Sequence, residues 1–230
     1  MNILALETTD RTGGVAVAHD GEVLLEIGLA EDVRSAQSLA PSIRELLDRV
    51  GWQPADVDLV AVTVGPGSFT GLRIGVATAK AFAYAVGAEV LGADTHEVLA
   101  WPCPPEVSHL HTVVDAQRGQ VAARRFQRGD VRGLIPQGDS ELTDLDAWLA
   151  SLRPGASVTG PMLSRIASRI PASVHTLAAE LWRPRAGNVA RLAHRQYSAG
   201  RRDDLWRLVP VYTRLSAAEE KARHHGGPPG

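Results

Sequence analysis

Cysteine and lysine are scarce in the 230-residue sequence, and long apolar runs are absent. Because Cys103 is the only thiol, an intramolecular disulfide, a Cys-x-x-Cys pair and a thiolate-rich zinc site are excluded. Its setting among Pro102, Pro104 and Pro105 is typical of a connector, so no nucleophilic cysteine is predicted. No apolar stretch approaches the roughly 20 residues that span a bilayer, and the first residues lack the basic region of a secretory signal. A globular, cytoplasmic protein is expected.

Basic charge is also scarce in the first part of the chain. The 24 basic and 26 acidic residues give a net charge of -2. Residues 1–100 hold 6 basic and 14 acidic residues, net -8, and the remainder holds 18 and 12, net +6. Such an asymmetry indicates two modules with different surfaces. The Arg-rich part could bind a phosphate backbone, although scattered, solvated Arg side chains would give the same composition.

Strand and helix patterns alternate along the first hundred residues. Asn2 to Glu7 is an apolar run suited to a buried strand, and a hairpin is predicted around Asp20-Gly21. Further along, the patterns predict a helix from Ser35 or Ser38 to Val50, a strand at 59–64, a helix at 71–86 and a strand at 88–93.

The second part of the chain repeats the beginning. An apolar strand ends in Glu7 and another ends in Asp115, and each is followed by a turn, a strand, a turn and a strand. This weak repeat predicts a duplicated fold. Helices are predicted at 142–152, 162–168 and 188–198, with a strand at 157–159. The Pro-rich residues 101–105 mark the boundary between domains at 1–100 and 101–214, and a disordered tail is expected at 215–230.

A glycine-rich segment, residues 65–71, joins a predicted strand to the following helix. A P-loop would need Gly-Lys-Ser/Thr where Gly71-Leu72-Arg73 stands, and a dinucleotide loop would need a third glycine at Thr70. A nucleophile elbow around Ser68 is excluded because the glycine after it comes too late. Ser68 and Thr70 are better explained as caps of the helix.

Two acidic strand ends leave a nucleotide site open as an alternative. A carboxylate at such a position could hold a metal-bound phosphate in a duplicated nucleotide-binding fold, although bulky neighbours restrict access to the backbone. The residues of this hypothetical, vestigial nucleotide site are Glu7, Thr8, Asp115 and Arg118. No metal site is predicted, because His109 and His111 share one face of a strand but have no third ligand nearby.

The glycine-rich segment and four other stretches resemble the TsaB family of bacterial tRNA threonylcarbamoyladenosine biosynthesis. The resemblance covers about residues 1 to 215, and the glycine-rich segment is its most specific part. The matching stretches are Ile3–Thr8, Gln37–Pro41, Gly65–Gly75, Asp115–Val121 and Pro210–Arg214.

The resemblance implies a fold, a role and a set of partners. The fold is α/β, with two ASKHA (actin-like/sugar-kinase-like, ribonuclease H-like) domains whose mixed sheets are flanked by helices. The role is that of a non-catalytic subunit that binds and positions the catalytic subunit TsaD, in a complex that includes the ATPase TsaE and acts on tRNA. The His-x-x-x-His metal site of TsaD corresponds here to Thr95 and Leu99, which cannot replace imidazole ligands. No cofactor is required, and weak binding of ATP or ADP stays open.

In the family, the first two helices form the interface with TsaD or with a second copy of the chain. The predicted interface residues are Leu39, Ile43, Leu46, Leu47, Gly71, Gly75, Ala79 and Ala83. The family motif loop comprises Gly65, Pro66, Gly67, Ser68, Phe69, Thr70, Gly71 and Arg73. The small residues that recur every four positions from Gly71 to Ala83 would let two backbones approach closely, within this chain or in a partner.

Two other functions remain alternatives at the level of sequence. One is a small ASKHA-type enzyme that binds a nucleotide or transfers phosphate through Glu7, Asp115 and the glycine-rich loop. The other is an independent tRNA-binding module that uses the Arg residues of the second half.

Overall fold

The computed structural model describes residues 1–10, 12–29, 35–129 and 133–213. The predicted disordered tail, 215–230, lies outside the described residues. None of the described helices is both long enough and apolar enough to cross a membrane.

The first sheet has a central strand with a meander on one side and parallel strands on the other. Its order is β3-β2-β1-β4-β5, in which β1 pairs antiparallel with β2 and parallel with β4. The chain forms β1 (Asn2–Glu7), β2 (Gly14–His19), β3 (Glu22–Gly28), β4 (Leu59–Gly65) and β5 (Glu89–Asp94).

The second sheet repeats this plan. Its order is β11-β10-β6-β7-β8, with β9 paired to β7; β6 is antiparallel to β7 and parallel to β10. Both sheets therefore have the same connectivity, which confirms the predicted duplication and the predicted α/β fold. The strands are β6 (His109–Asp115), β7 (Gln120–Gly129), β8 (Gly133–Pro136), β9 (Glu141–Asp144), β10 (Ser157–Thr159) and β11 (His175–Thr176).

Helices cover both faces of the first sheet. One set of strand side chains, such as Leu4, packs with α1 and α2, and the alternate set, such as Ile3, packs with α6. Burial on both faces explains why these strands are continuous apolar runs. The helices are α1 (Ser35–Val50), α2 (Phe69–Val86), α3 (Thr95–Ala100), α4 (Leu145–Ser151), α5 (Leu163–Ile166) and α6 (Ala186–Ser198).

Local signals set the ends of α2. The Ser68 hydroxyl accepts a hydrogen bond from the backbone N–H of Gly71, as expected of a helix cap. At the other end Gly87 adopts φ +76°, the left-handed conformation that commonly ends helices. The helix starts at Phe69, two residues earlier than predicted.

The helix expected at 142–152 begins only at Leu145. Leu142 belongs instead to β9, where it pairs with Ala122 of β7. The available edge of β7 decides this assignment, because a neighbouring strand satisfies the backbone hydrogen bonds of residues 141–144.

Residues 186–213 return to the first sheet. Helix α6 packs on that sheet, and residues 203–213 form a strap beside α2 and β5. Within this strap, Leu208 is buried in the core, and the N–H of Val211 donates to the carbonyl of Val64 at 2.7 Å. Residues 186–213 thus pack with the first sheet, although they fall within the predicted second domain, 101–214.

Candidate functional site

Glu7 lies at the carboxyl end of β1 and is completely buried. Its Oε1 accepts hydrogen bonds from the backbone N–H of Thr9 at 2.7 Å, from the Thr9 hydroxyl and, at 3.4 Å, from the Thr63 hydroxyl. Its Oε2 is buried with no hydrogen-bond partner. Burial raises the pKa of Glu7 to about 7, so much of the population is protonated at neutral pH.

Thr8 lies against the first two turns of α2. A Cβ atom added to Gly71 would overlap the carbonyl oxygen of Thr8, and one added to Gly75 would overlap its hydroxyl. A Cβ at Gly67 would similarly overlap Thr9, whose carbonyl accepts from the N–H of Ser68 at 2.9 Å. The glycines of the motif loop therefore let the loop and helix pack on the turn that follows β1.

Arg73 extends this region along the outside of α2. Its guanidinium lies 4.0 Å from the ring centroid of Phe69, and its Nε donates to the Tyr212 hydroxyl at 3.0 Å. The rings of Phe69 and Tyr212 are 4.7 Å apart. The motif loop, α2 and the strap are thereby joined through cation–π and hydrogen-bond contacts.

Asp115 occupies in the second sheet the position that Glu7 has in the first. Its Oδ2 is 2.5 Å from Nη1 of Arg165, and its Oδ1 accepts from the N–H of Gln117 at 2.7 Å. Arg118 is exposed, with φ +52°, in the turn after β6. The contacts of Glu7 and Asp115 are made within the chain, and nucleotide binding at these residues stays a prediction.

A second internal repeat escaped the sequence analysis. Gly65-Pro66 stands at the end of β4, and Gly160-Pro161 directly follows β10, the equivalent strand of the second sheet. Both glycines have positive φ, +127° and +136°, in the region that L side chains avoid. A search for paired Gly-Pro steps after apolar strands would have found this signal.

The histidines of the described residues form no metal centre. No group of three or more His, Cys, Asp or Glu side chains in the described ranges could hold a metal ion. His96 is completely buried: Nδ1 hydrogen-bonds the Thr112 hydroxyl at 2.8 Å and Nε2 the Ser140 hydroxyl at 2.9 Å. Burial and the nearby Arg124 lower the pKa of His96 to about 3, so it is neutral.

The predicted interface residues lie inside the chain. All eight are buried within the first half, where most of them contribute to the core between the sheet and helices α1 and α2. In this conformation these side chains face the protein's own sheet and Thr8, and a role for them in contact with a partner stays a prediction. The residues of this prediction are Leu39, Ile43, Leu46, Leu47, Gly71, Gly75, Ala79 and Ala83.

The opposite face of α2 is exposed and nearly free of charge. Arg73, Ala77, Ala81 and Ala85 lie along this outward face, and Arg73 and Lys80 are the only charged residues of the helix. Lys80 donates through Nζ to the carbonyls of Trp206 and Leu208 in the strap, at 3.0 and 3.1 Å.

Two aromatic side chains border this face. Tyr84 is 68% exposed and Trp206 70% exposed, and their rings meet edge to face at 5.5 Å. Trp and Tyr are enriched among the residues that dominate binding energy at protein interfaces. Sequence periodicity did not predict this face. The periodicity identifies the buried side of a helix and contains no information on what covers the other side.

Many Arg residues of the second half are paired with carboxylates. Several of these pairs reach the acidic first half, such as Arg124 with Asp94 at 3.3 Å and Arg185 with Glu26 at 3.0 Å. Ion pairs between the two halves therefore neutralise part of the opposite net charges that the sequence gives them. The paired residues are Arg124, Arg125, Arg165, Arg169, Arg183, Arg185, Arg201 and Arg202.

Comparison with known proteins places this geometry in context. The family model described as TsaD, tRNA N6-adenosine threonylcarbamoyltransferase, matches residues 32–147. The chain is 30% identical over 234 residues to the tRNA threonylcarbamoyladenosine biosynthesis protein TsaB of Bacillus subtilis, covering 96% of this chain and 97% of that protein. It is 29% identical to the Escherichia coli protein of the same name, over 56% of this chain and 57% of that one.

A solved structure shows the same fold. YeaZ from Pseudomonas aeruginosa superimposes with a TM-score of 0.77 and 23% sequence identity, covering 92% of this chain and 99% of that one. The likeness extends over both sheets, because nearly the whole of each chain is included.

Proposed function

Because the chain belongs to the TsaB family, within the group that the TsaD family model describes, we propose that it acts in tRNA threonylcarbamoyladenosine biosynthesis as a non-catalytic scaffold. In this proposal it binds and positions a TsaD-type catalytic subunit in the cytoplasm. The assembled complex, which includes a TsaE-type ATPase, transfers a threonylcarbamoyl group to N6 of the adenosine next to the anticodon. The chain meets tRNA only through that complex, and two copies can pair through the same face.

The outward face of α2 carries the proposal. A solvent-facing helix is normally charged on its exposed side, whereas a helix that is apolar all round is normally buried. Here the core side of α2 is filled by Gly, Ala, Leu and Val, and beyond Arg73 in its first turns the outward side presents Ala77, Ala81 and Ala85. A partner that covers this outward side would bury it, as is normal for a helix that is apolar all round. The proposed contact surface is this face together with three of the exposed residues of α1, Ala40, Pro41 and Arg44.

Two observations favour a scaffold over a phosphotransfer enzyme. The Glu7 carboxyl is buried, and its pKa is raised to about 7, so a large part of the population would lack the charge needed to hold a metal-bound phosphate. The motif-loop glycines pack against Thr8 and Thr9, and their space is not available for a phosphate.

The test is an Arg substitution on the outward face. Ala81→Arg places a charge on the exposed side of α2 and leaves the core intact, so the variant should fold. Burying an unpaired guanidinium in an interface costs several kcal/mol, so we expect copurification with the coexpressed TsaD-type subunit to fall at least about 100-fold. The measurement is affinity pull-down followed by size-exclusion chromatography.

A matched control uses the same substitution elsewhere. Ala147→Arg places Arg on the exposed side of α4 in the second half, away from the proposed surface, and should leave copurification unchanged. If Ala81→Arg associates as well as the wild type, the outward face of α2 is not the contact surface. Gly75→Leu is unsuitable as a test, because its side chain would collide with Thr8 inside the fold.

A further inference from the structure

A cavity of about 650 Å³ lies on one face of the second sheet, and its volume falls within the range of known small-molecule sites. The floor is formed by β6 and β7, where His111 pairs with Arg125 and His109 with Gln127. Val113, two residues beyond His111, shares this face of β6 and packs in the core with residues of α4. The helix therefore covers one end of the face, and the polar end stays open as a cavity.

The two walls of the cavity carry opposite charge. Asp139 and Glu141, at the β9 side, supply one wall, and Arg153, between α4 and β10, belongs to the other. Because β9 adjoins β7 and β10 adjoins β6, the walls stand on opposite sides of the floor. Glu141 lies 3.4 Å from Arg125, whereas Arg153 is exposed and forms no ion pair with a carboxylate of the described residues. The charge of Arg153 is thus not neutralised by a contact within that part of the chain.

A buried hydrogen-bond donor also belongs to this cavity. Trp148 of α4 lines the cavity and is only 4% exposed. Its indole Nε1 is buried with no hydrogen-bond partner among the described residues. Buried polar groups in proteins nearly always have a partner, and an indole N–H can only donate. The group that completes Trp148 is therefore an acceptor.

The floor beside this donor is electropositive. Burial and the neighbouring Arg125 and His109 lower the pKa of His111, so the pairing of Arg125 with Glu141 does not cancel the positive potential there. Guanidinium and indole groups donate hydrogen bonds and accept none. A ligand that satisfies Arg153 and Trp148 together must carry several acceptor oxygens, and charge favours an anion.

We propose that this cavity binds a phosphate monoester of a small molecule with several hydroxyl groups. The phosphate oxygens accept hydrogen bonds from Arg153, Trp148 and the floor at His111. The hydroxyl groups of the ligand donate to the carboxylates of Asp139 and Glu141 on the opposite wall. Sugar phosphates and glycerol phosphates share this chemistry. The site is independent of the proposed scaffold function, since its lining residues belong to the second half of the chain, away from α1, α2 and the strap.

The experiment uses two pairs of probes that differ only in the phosphate. Ribose 5-phosphate is compared with ribose, and glycerol 3-phosphate with glycerol, by NMR titration of the full-length protein at low salt in phosphate-free buffer; inorganic phosphate alone is the fifth probe. The reporters are the indole N–H of Trp148 and the ring C–H groups of His111. We expect at least one monoester to bind with a Kd below about 1 mM, and its neutral counterpart and inorganic phosphate to bind at least about ten-fold more weakly. The tighter monoester shows whether a sugar or a shorter polyol carries the phosphate.

Variants locate the binding. Arg153→Gln keeps a polar side chain at an exposed position and should weaken binding of the monoester about ten-fold or more. Trp148→Phe keeps a ring in the core but removes the N–H, so binding followed at His111 should weaken about five-fold. Arg169→Gln, in the same half of the chain but outside the cavity, is the matched control and should bind as the wild type does.

Three results would overturn the proposal. The first is that neither monoester shifts these reporters at millimolar concentration. The second is that a neutral counterpart or inorganic phosphate binds as tightly as the monoesters, which would leave the phosphate or the hydroxyl groups without a role. The third is that Arg153→Gln binds as tightly as the wild type. Copurification with the TsaD-type subunit tests a different face, that of α2, so failure here is distinct from failure of the scaffold proposal.

Discussion

At the scale of single residues, a contact within the chain explains why position 75 is a glycine. The added Cβ atom would overlap the Thr8 hydroxyl, which is itself buried with no hydrogen-bond partner. Glycine in a helix interior costs about 1 kcal/mol relative to alanine. Close contact between α2 and the turn after β1 offsets this cost. Because the contact lies within the chain, the glycine does not require a partner protein to explain it.

A double-mutant cycle tests this contact. Gly75→Ala should lower the free energy of unfolding by about 1–3 kcal/mol, because the methyl group overpacks the site. Thr8→Ala removes the hydroxyl that it meets, so the double variant should recover a large part of the loss. Chemical denaturation measures both. Gly28→Ala, where the added Cβ meets no atom within 4 Å, is the control and should change stability by less than about 0.5 kcal/mol. Strictly additive effects at 8 and 75 would contradict the contact.

At the scale of elements, α2 owes its position to three neighbours. The sheet covers one side, the turn at Thr8 and Thr9 holds the first turns, and the strap of residues 203–213 lies along another side. Lys80 ties the strap to the helix by donating to two of its carbonyls. Residues 203–213 form no helix or strand of the sheets, so their contacts with α2 and the first sheet determine where the strap lies.

Lys80→Met should loosen the strap without unfolding the protein. The methionine keeps the length of the side chain but removes two charge-assisted hydrogen bonds, each worth about 1.5–3 kcal/mol. Hydrogen exchange at the Val211 amide, which is bonded to Val64, should accelerate at least about ten-fold. The exposed Arg44→Met on α1 provides the control and should leave this rate unchanged. Unaltered protection of Val211 in Lys80→Met would mean that Lys80 does not hold the strap.

At the scale of the whole molecule, a buried polar joint connects the two halves. His96 of α3 hydrogen-bonds Thr112 of β6 and Ser140, and Arg124 of β7 pairs with Asp94, the last residue of β5. Leu99 packs beside them with Val114 and Ala122. Polar groups in such a joint must be satisfied, so it fixes one relative placement of the halves.

The joint makes stability depend on pH in a definite direction. The pKa of His96 is about 3 in the folded protein and about 6.5 when unfolded, so the unfolded state binds the proton more readily as pH falls. This stabilisation is fully present above pH 6.5 and is lost on acidification. As pH falls from 6 to 4.5, protonation of His96 in the unfolded state should lower the free energy of unfolding of the wild type by about 2 kcal/mol.

Comparing the wild type with His96→Gln isolates this contribution, because other titrating groups, including Glu7, are shared. Urea denaturation from pH 6 to 4.5 should show a steeper loss in the wild type by about 2 kcal/mol. Parallel pH profiles for the two proteins would show that His96 is not held neutral.

Sequence reasoning found the strands and the duplication but not the surroundings of each helix. The runs ending in Glu7 and Asp115 predicted two sheets of the same plan, because buried parallel strands are apolar throughout. The stripe from Gly71 to Ala83 predicted close packing within this chain or in a partner, since periodicity identifies a face and not what meets it. Helix α6 was predicted with the second half, although its apolar face lies on the first sheet.

The sequence by itself determined the two-sheet plan, the Ser68 cap of α2 and the absence of an intramolecular disulfide, because each depends on local patterns or on residue counts. Only the tertiary structure decided which face of α2 is exposed, that residues 186–213 return to the first sheet, and that the acidic and basic halves pair across their junction. These features depend on contacts between residues far apart in sequence, such as Arg185 with Glu26 and Val211 with Val64. Composition and periodicity contain no information about such pairings, which packing of the whole chain selects.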